Sequence, residues 1–298
     1  MKDPHAYLKR ISDAFLNQTV LALRGEKGTV YMRVSEIEFY LNDFASHEDT
    51  FTHADEMQRE TGKWYFHRYA SKTYKAGTYK GLDLAIGKGK QAVGGILIRS
   101  LMPTMKAVSG SLSTLSSKKD FVEGPCNCVN RILREVKPAS FKGEFDIKDL
   151  VKLPDFSLDS FDKTSRVSLV DCAEAGFSLE QKDLASCPRV GLTLKRYDEK
   201  KEKLYWMANY RFLIFPKFHA KMKDFINLSY IQKGKTVSQV CQLTDSKSLK
   251  VEELKAGYER GVELGKERKT TIKASAQEKM TAHDWAFVYG LHQGLNLP

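Results

Sequence analysis

Between Thr29 and Leu41 apolar and polar positions alternate with the period of a β-strand, and the alternation changes character halfway. Val30, Met32 and Val34 share a face that continues as Glu36, Glu38 and Tyr40. The opposite face runs from Tyr31, Arg33 and Ser35 to Ile37, Phe39 and Leu41. Such a strand is either an edge with one wet face or the wall of a pocket in which two carboxylates and a phenol stand in phase. Around it, Tyr7, Leu8, Ile11 and Phe15 predict a short helix over 4–15, and "TVLALR" predicts a strand joined to the next by the turn "GEKG". Residues 42–62 are polar, carry His47 and His53, and read as a loop with a helical turn; "KWYFHRYA" (63–70) is strand-like. Two strands are expected at Thr78–Ile86 and Gly95–Leu101, the second closed by Pro103, with a Gly/Lys loop between them. The Ser-rich stretch 107–119 reads as a flexible insert, and "GPCNCVNRILREV" as a helix burying Cys128, Val129, Ile132 and Leu133. "CPRVGLTLKRY" and "LYWMANYRFLIFP" read as strands joined by the charged turn "DEKKEK". Val251, Leu254, Tyr258 and Val262 mark an amphipathic helix, and a short apolar segment follows in "MTAHDWAFVYGLHQGLNLP".

Composition narrows the partners more than the fold. The 298 residues are 42% hydrophobic and 11% aromatic, enough for a packed core and against disorder throughout. Lys+Arg exceed Asp+Glu by 48 − 37 = 11, and the pI is near 9.2, which favours a polyanion, nucleic acid before an anionic membrane. The five cysteines are odd in number, and Cys126-x-Cys128 lacks the spacing of a zinc site, so these two read as buried thiols. No apolar run approaches the ~20 residues that span a bilayer, and "MKDPHAYLKRISDAF" has no signal-peptide core. A soluble intracellular protein is expected.

Eight motifs then follow one another in a telling order: "VSEIEFYLN", His53, "GTYKGLDLAIG", "LIRSLMP", "GPCNCVNRI", "FDIKDL", "PRVGL" and "YRFLIF". The chain thereby resembles the alkyladenine (3-methyladenine) DNA glycosylase family, whose motifs are of the types "VETEAYLG", a following histidine, "GT…YG", "LIRALEP", "GPGKLCQAL", "FDxxDL", "PRVGI" and "LRFYV". The resemblance covers roughly residues 15–217. It implies an α+β fold: a single domain with a curved, mostly antiparallel sheet and peripheral helices over 1–217, plus a helical C-terminal extension over 218–298. It also implies hydrolysis of the N-glycosidic bond of alkylated or deaminated purines in DNA, with no metal or organic cofactor. The partner is then DNA, double-stranded or mismatched and single-stranded, with no membrane, a monomeric state and a place in the nucleus or nucleoid.

The chemistry gives each residue a role. Cleaving a purine–sugar bond needs an activated water beside C1′ and a negative charge near the oxocarbenium-like sugar, and one carboxylate can supply both. Glu38 matches the family's catalytic glutamate; Glu36, one pleat earlier, reads as a supporting carboxylate. A base inside a duplex must be flipped out and held between flat groups. Tyr40 and His53 correspond to the aromatic walls of the family's pocket, and Tyr79 stands near the position of a third. Arg99, inside an apolar strand, either faces DNA or is a buried partner for an acid such as Glu36 or Asp83. Lys88 and Lys90 in the Gly/Lys loop are expected at the DNA backbone.

The sequence also departs from the family. Ile86 stands before Gly87 where the family has an intercalating tyrosine; an aliphatic wedge can also unstack bases, and Trp64, Tyr65 and Tyr79 are the aromatic alternatives. The discriminating asparagine is absent, Gln91 being the only amide nearby, and the third aromatic aligns with Leu82 or Asp83. Two other readings remain: a non-catalytic nucleic-acid-binding protein on the same fold, and a glycosidic hydrolase acting on RNA or nucleosides. The glycosylase reading asks for Glu38 exposed beside Tyr40, and the non-catalytic one for Glu38 paired away, for example with Arg99.

Overall fold

The structure, a computed structural model, describes residues 4–106, 112–114, 118–174, 176, 178–192, 205–267 and 280–296. The fold is α+β, a curled antiparallel sheet with helices and a helical C-terminal part, as the sequence implied. Contacts divide the chain into two compact units, Met1–Leu184 and Ala185–Pro298. The extent of the motif resemblance had divided it at 217. The strands over "SCPRVGL" and "YRFLIF" therefore belong with the C-terminal helices rather than with the first sheet.

In the first unit, α1 (Pro4–Asn17) buries Leu8, Phe15 and Leu16, while Tyr7 stays 41% exposed. The hairpin of β1 (Thr19–Gly25) and β2 (Gly28–Asp43) turns where "GEKG" predicted, and Gly28 takes the positive φ of 115° that a tight reversal needs. After β3 (His47–Glu48) comes a 3₁₀ turn over Glu56–Arg59, then β4 (Trp64–Phe66), β5 (Leu82–Ala85) and β6 (Ala92–Lys106). β2, β6, β5 and β4 are neighbours in that order, all antiparallel, and β1 carries β9 (Val167–Asp171) on its other edge. The short β7 (Leu112–Thr114) and β8 (Val122–Glu123) both add to β6.

Three details differ from the sequence reading. Strand β2 is no edge with a wet face, because every residue from Met32 to Phe39 is buried. The expected strand Thr78–Ile86 shortens to β5, since Gly77 at φ 56° opens a 3₁₀ turn over Gly77–Tyr79. Strand β6 does not stop at Pro103, which lies opposite Met32 at the end of the β2 ladder, where a missing N–H is tolerated. The Ser-rich insert falls largely, and the "DEKKEK" turn wholly, outside the described residues.

Helix α2 (Pro125–Val136) starts with proline in its first turn and buries Cys128, Val129, Ile132 and Leu133, the four positions its spacing predicted. Cys126 is only partly buried and donates to the Gly77 carbonyl at 3.0 Å, so the pair is not uniformly interior. "FDIKDL" forms α3 (Ile147–Leu150), begun by a capping box of Asp146 and Asp149.

In the second unit, β10 (Ala185–Cys187) pairs with β11 (Arg211–Leu213), and four helices follow: α4 (Lys223–Gln232), α5 (Val237–Thr244), α6 (Ser248–Lys266) and α7 (Ala282–Gly294). The stripe on α6 is covered within this unit, with Val251 and Leu254 fully buried against neighbouring helices. Helices α6 and α7 approach backbone to backbone: a Cβ at Gly261 would lie 2.1 Å from the Phe287 carbonyl oxygen, and one at Gly290 would lie 2.1 Å from that of Tyr258. Among the described residues no helix is long and apolar enough to cross a membrane.

Candidate active site

Glu38 lies opposite Leu97 and Tyr40 opposite Gly95 in the β2–β6 ladder. The ladder is distorted next to them. Register shifts flank Glu36, which pairs with Ser100, before regular pairing resumes at Ile37 and Ile98. Such irregularities re-aim side chains beside functional sites, and here Arg99 and Ser100 both reach the same acid. Arg99 Nε donates to Glu36 Oε1 at 3.0 Å and Ser100 Oγ to Glu36 Oε2 at 2.5 Å. Arg99 Nη1 donates to Glu38 Oε2 at 3.3 Å, and the Tyr40 hydroxyl donates to the same oxygen at 2.8 Å. Both carboxylates are fully buried and Arg99 is 6% exposed. Burial works against the Arg99 charge, but Glu38 and then Glu36 outweigh it and raise its pKa. The arginine is thus the buried partner that the sequence allowed for, serving Glu36 and Glu38 rather than Asp83.

Asp83 has other partners. It pairs with Leu97 on one side and Tyr65 on the other, so Tyr65, Asp83, Leu97 and Glu38 form one row across four strands and point to one sheet face. Asp83 Oδ1 lies 2.8 Å from His67 Nε2, and Asp83 Oδ2 accepts from Gln58 Nε2 at 2.9 Å. Gln58 is set by the capping box of its own 3₁₀ turn, in which Asp55 accepts from the Met57 N–H and from Arg68. The His53 ring packs edge-on against His67 at 4.5 Å and against Tyr65 at 6.3 Å, and Lys75 Nζ lies 3.3 Å from His53 Nε2. Burial and then the charge of Asp55 push the Tyr65 phenol pKa up.

The remaining sequence candidates lie at the surface or at its margin. Tyr79 is 69% exposed on the 3₁₀ turn before β5. Ile86 is half-buried at the end of β5, and Lys88 and Lys90 are exposed in the reversal that follows. Of the aromatic alternatives to Ile86, Trp64 and Tyr65 are buried. The structure therefore gathers Glu38, Tyr40 and Arg99, and puts His53 with Tyr65 and His67. His67 and Gln58 were not singled out from the sequence. The available signal was glycine: a Cβ at Gly81 would come within 2.5 Å of the His67 ring, and one at Gly95 would lie 2.5 Å from Asp83 Oδ2.

No family model matches the chain. It is 31% identical over 229 residues to "Uncharacterized protein L759" of Acanthamoeba polyphaga mimivirus, an alignment covering 73% of this chain and 90% of that protein.

Proposed function

We propose that this chain, which belongs to the same family as the uncharacterized mimivirus protein L759, is a DNA glycosylase that hydrolyses the N-glycosidic bond of damaged purines. The observation that carries the reading is the fixed carboxylate of Glu38, held at one oxygen by Tyr40 and Arg99 beside a half-buried aromatic ring. In this role Glu38 takes a proton from the water that attacks C1′, and its charge stabilises the cationic sugar. Arg99 and Tyr40 keep the carboxylate oriented, and the Tyr40 ring supplies a wall for the base. Lys88 and Lys90, exposed on the β5–β6 reversal, contribute to phosphate binding, and Ile86 is the residue at hand to fill the vacated stack. The net charge of +11 supports a polyanionic partner.

A specific observation favours a second reading. Glu38 is fully buried and contacts Arg99, the signature of a non-catalytic nucleic-acid-binding protein on this fold. One experiment separates the two. Duplexes and single strands carrying hypoxanthine, ethenoadenine or 3-methyladenine are incubated with the protein and abasic sites are scored. Release of any of these bases supports the glycosylase, whereas DNA binding with no abasic product supports the second reading.

A further inference from the structure

We propose that His67, oriented by Asp83, is the proton donor to the departing base, an inference that rests on the glycosylase reading. His67 follows Tyr65 by two residues and stands opposite Gly81, accepting a strand-type hydrogen bond from the Gly81 carbonyl to its N–H at 3.0 Å. It therefore faces the same side of the sheet as Tyr65, Asp83 and Glu38. Asp83 and Glu38 are separated by two strand spacings, about 10 Å between backbones, with Leu97 between them as an apolar floor. A sugar–base unit lying across that floor would have Glu38 at one end and His67 at the other.

The histidine is built into this place. Asp83 is 2% exposed and Gln58 fully buried, and both are spent on holding one imidazole nitrogen: Gln58 fixes Asp83, and Asp83 fixes His67 Nε2. The glycines at 81 and 95 clear the room that the ring and the carboxylate occupy. Of the three side chains only His67 reaches the surface, at 13% exposure. A carboxylate that holds one ring nitrogen sets the tautomer and leaves the other nitrogen for proton transfer. Here the proton leaves from Nδ1. The C1′–N bond breaks with its electron pair going to the base, the Nδ1 proton goes to a base ring nitrogen, water oxygen bonds to C1′, and the proton shed by that water goes to Glu38. Neutral His67 keeps its Nε2 proton on Asp83.

A proton donor matters for a neutral leaving group and not for one already cationic. Single-turnover release of hypoxanthine, neutral, and of 7-methylguanine, cationic, is measured for wild type, H67N and H67Q, with thermal unfolding checked for each. The variants are expected to lose roughly 10²–10⁴-fold on hypoxanthine and to change little on 7-methylguanine. D83N is expected to show the same split, more weakly. Equal losses on both bases by folded variants, or no loss on either, overturn the assignment of His67 while leaving the glycosylase standing. A wild-type protein that releases neither base overturns the glycosylase reading itself.

Discussion

Replacing Arg99 with methionine tests how the buried acids are held. The substitution roughly keeps side-chain volume and flexibility while removing the guanidinium that contacts Glu36 at 3.0 Å and Glu38 at 3.3 Å. Breaking a buried ion pair from one side costs about 3–5 kcal/mol, because the remaining charge stays desolvated. At about 2–4 °C per kcal/mol for a unit of 150–250 residues, the variant should melt roughly 6–20 °C below wild type near neutral pH. The pH dependence has a definite sign. Without the cation, burial disfavours the charged carboxylates, so the folded variant takes up protons at a higher pH than its unfolded chain. The deficit is then largest at pH 8 and shrinks on acidification, by up to about 1.4 kcal/mol per pH unit for each proton involved. Removing all three charges together, as E36Q/E38Q/R99M, should recover a good part of the loss. Circular dichroism melts at pH 8 and 5.5 measure this. An R99M melting temperature within 2 °C of wild type, or a deficit that grows on acidification, refutes the argument.

Two further substitutions probe the frame around the site and the C-terminal helices. Asp55 is held below its ordinary pKa: burial opposes this, but hydrogen bonds from Arg68 and the Met57 N–H outweigh it. A depressed carboxylate contributes fully above its unfolded pKa of about 4 and progressively less as pH falls through the folded value. D55N should therefore be less stable by about 1–3 kcal/mol at pH 7, with the gap closing under strong acid; urea titrations at pH 7 and pH 2.5 check it, and a pH-independent gap would contradict it. Gly261→Ala places a Cβ 2.1 Å from the Phe287 carbonyl oxygen and 2.7 Å from the Leu291 nitrogen. At a solvent-facing helix position the same change would stabilise by about 1 kcal/mol, so the sign discriminates, and a raised melting temperature would show that α6 and α7 do not pack this closely.

Much of the scaffold was legible in the sequence because local signals and burial agree. Pro4, the "GEKG" turn, the Gly-Pro start of α2 and the heptad-like spacing on α6 each placed an element where it stands. The odd alternation of β2 drew attention to Glu36 and Glu38, and an arginine inside an apolar strand pointed to a buried acid. The histidine–carboxylate dyad was not legible, since His67 and Asp83 lie 16 residues apart and meet only through the pairing of β4 with β5. Their signature, two glycines with no turn to make, acquires meaning only once the strands are laid side by side. The burial of Glu38 was equally hidden, because alternation along one strand does not say what covers each face.

The central claim stands on Glu38. Glu38→Gln keeps the shape and the ability to accept from Tyr40 and Arg99 while removing the base. Single-turnover excision of a damaged purine from DNA, measured for wild type and E38Q at equal DNA occupancy, should fall by roughly 10²–10⁴-fold with binding intact. Excision at the wild-type rate, or none by either protein on any damaged purine, would contradict the account.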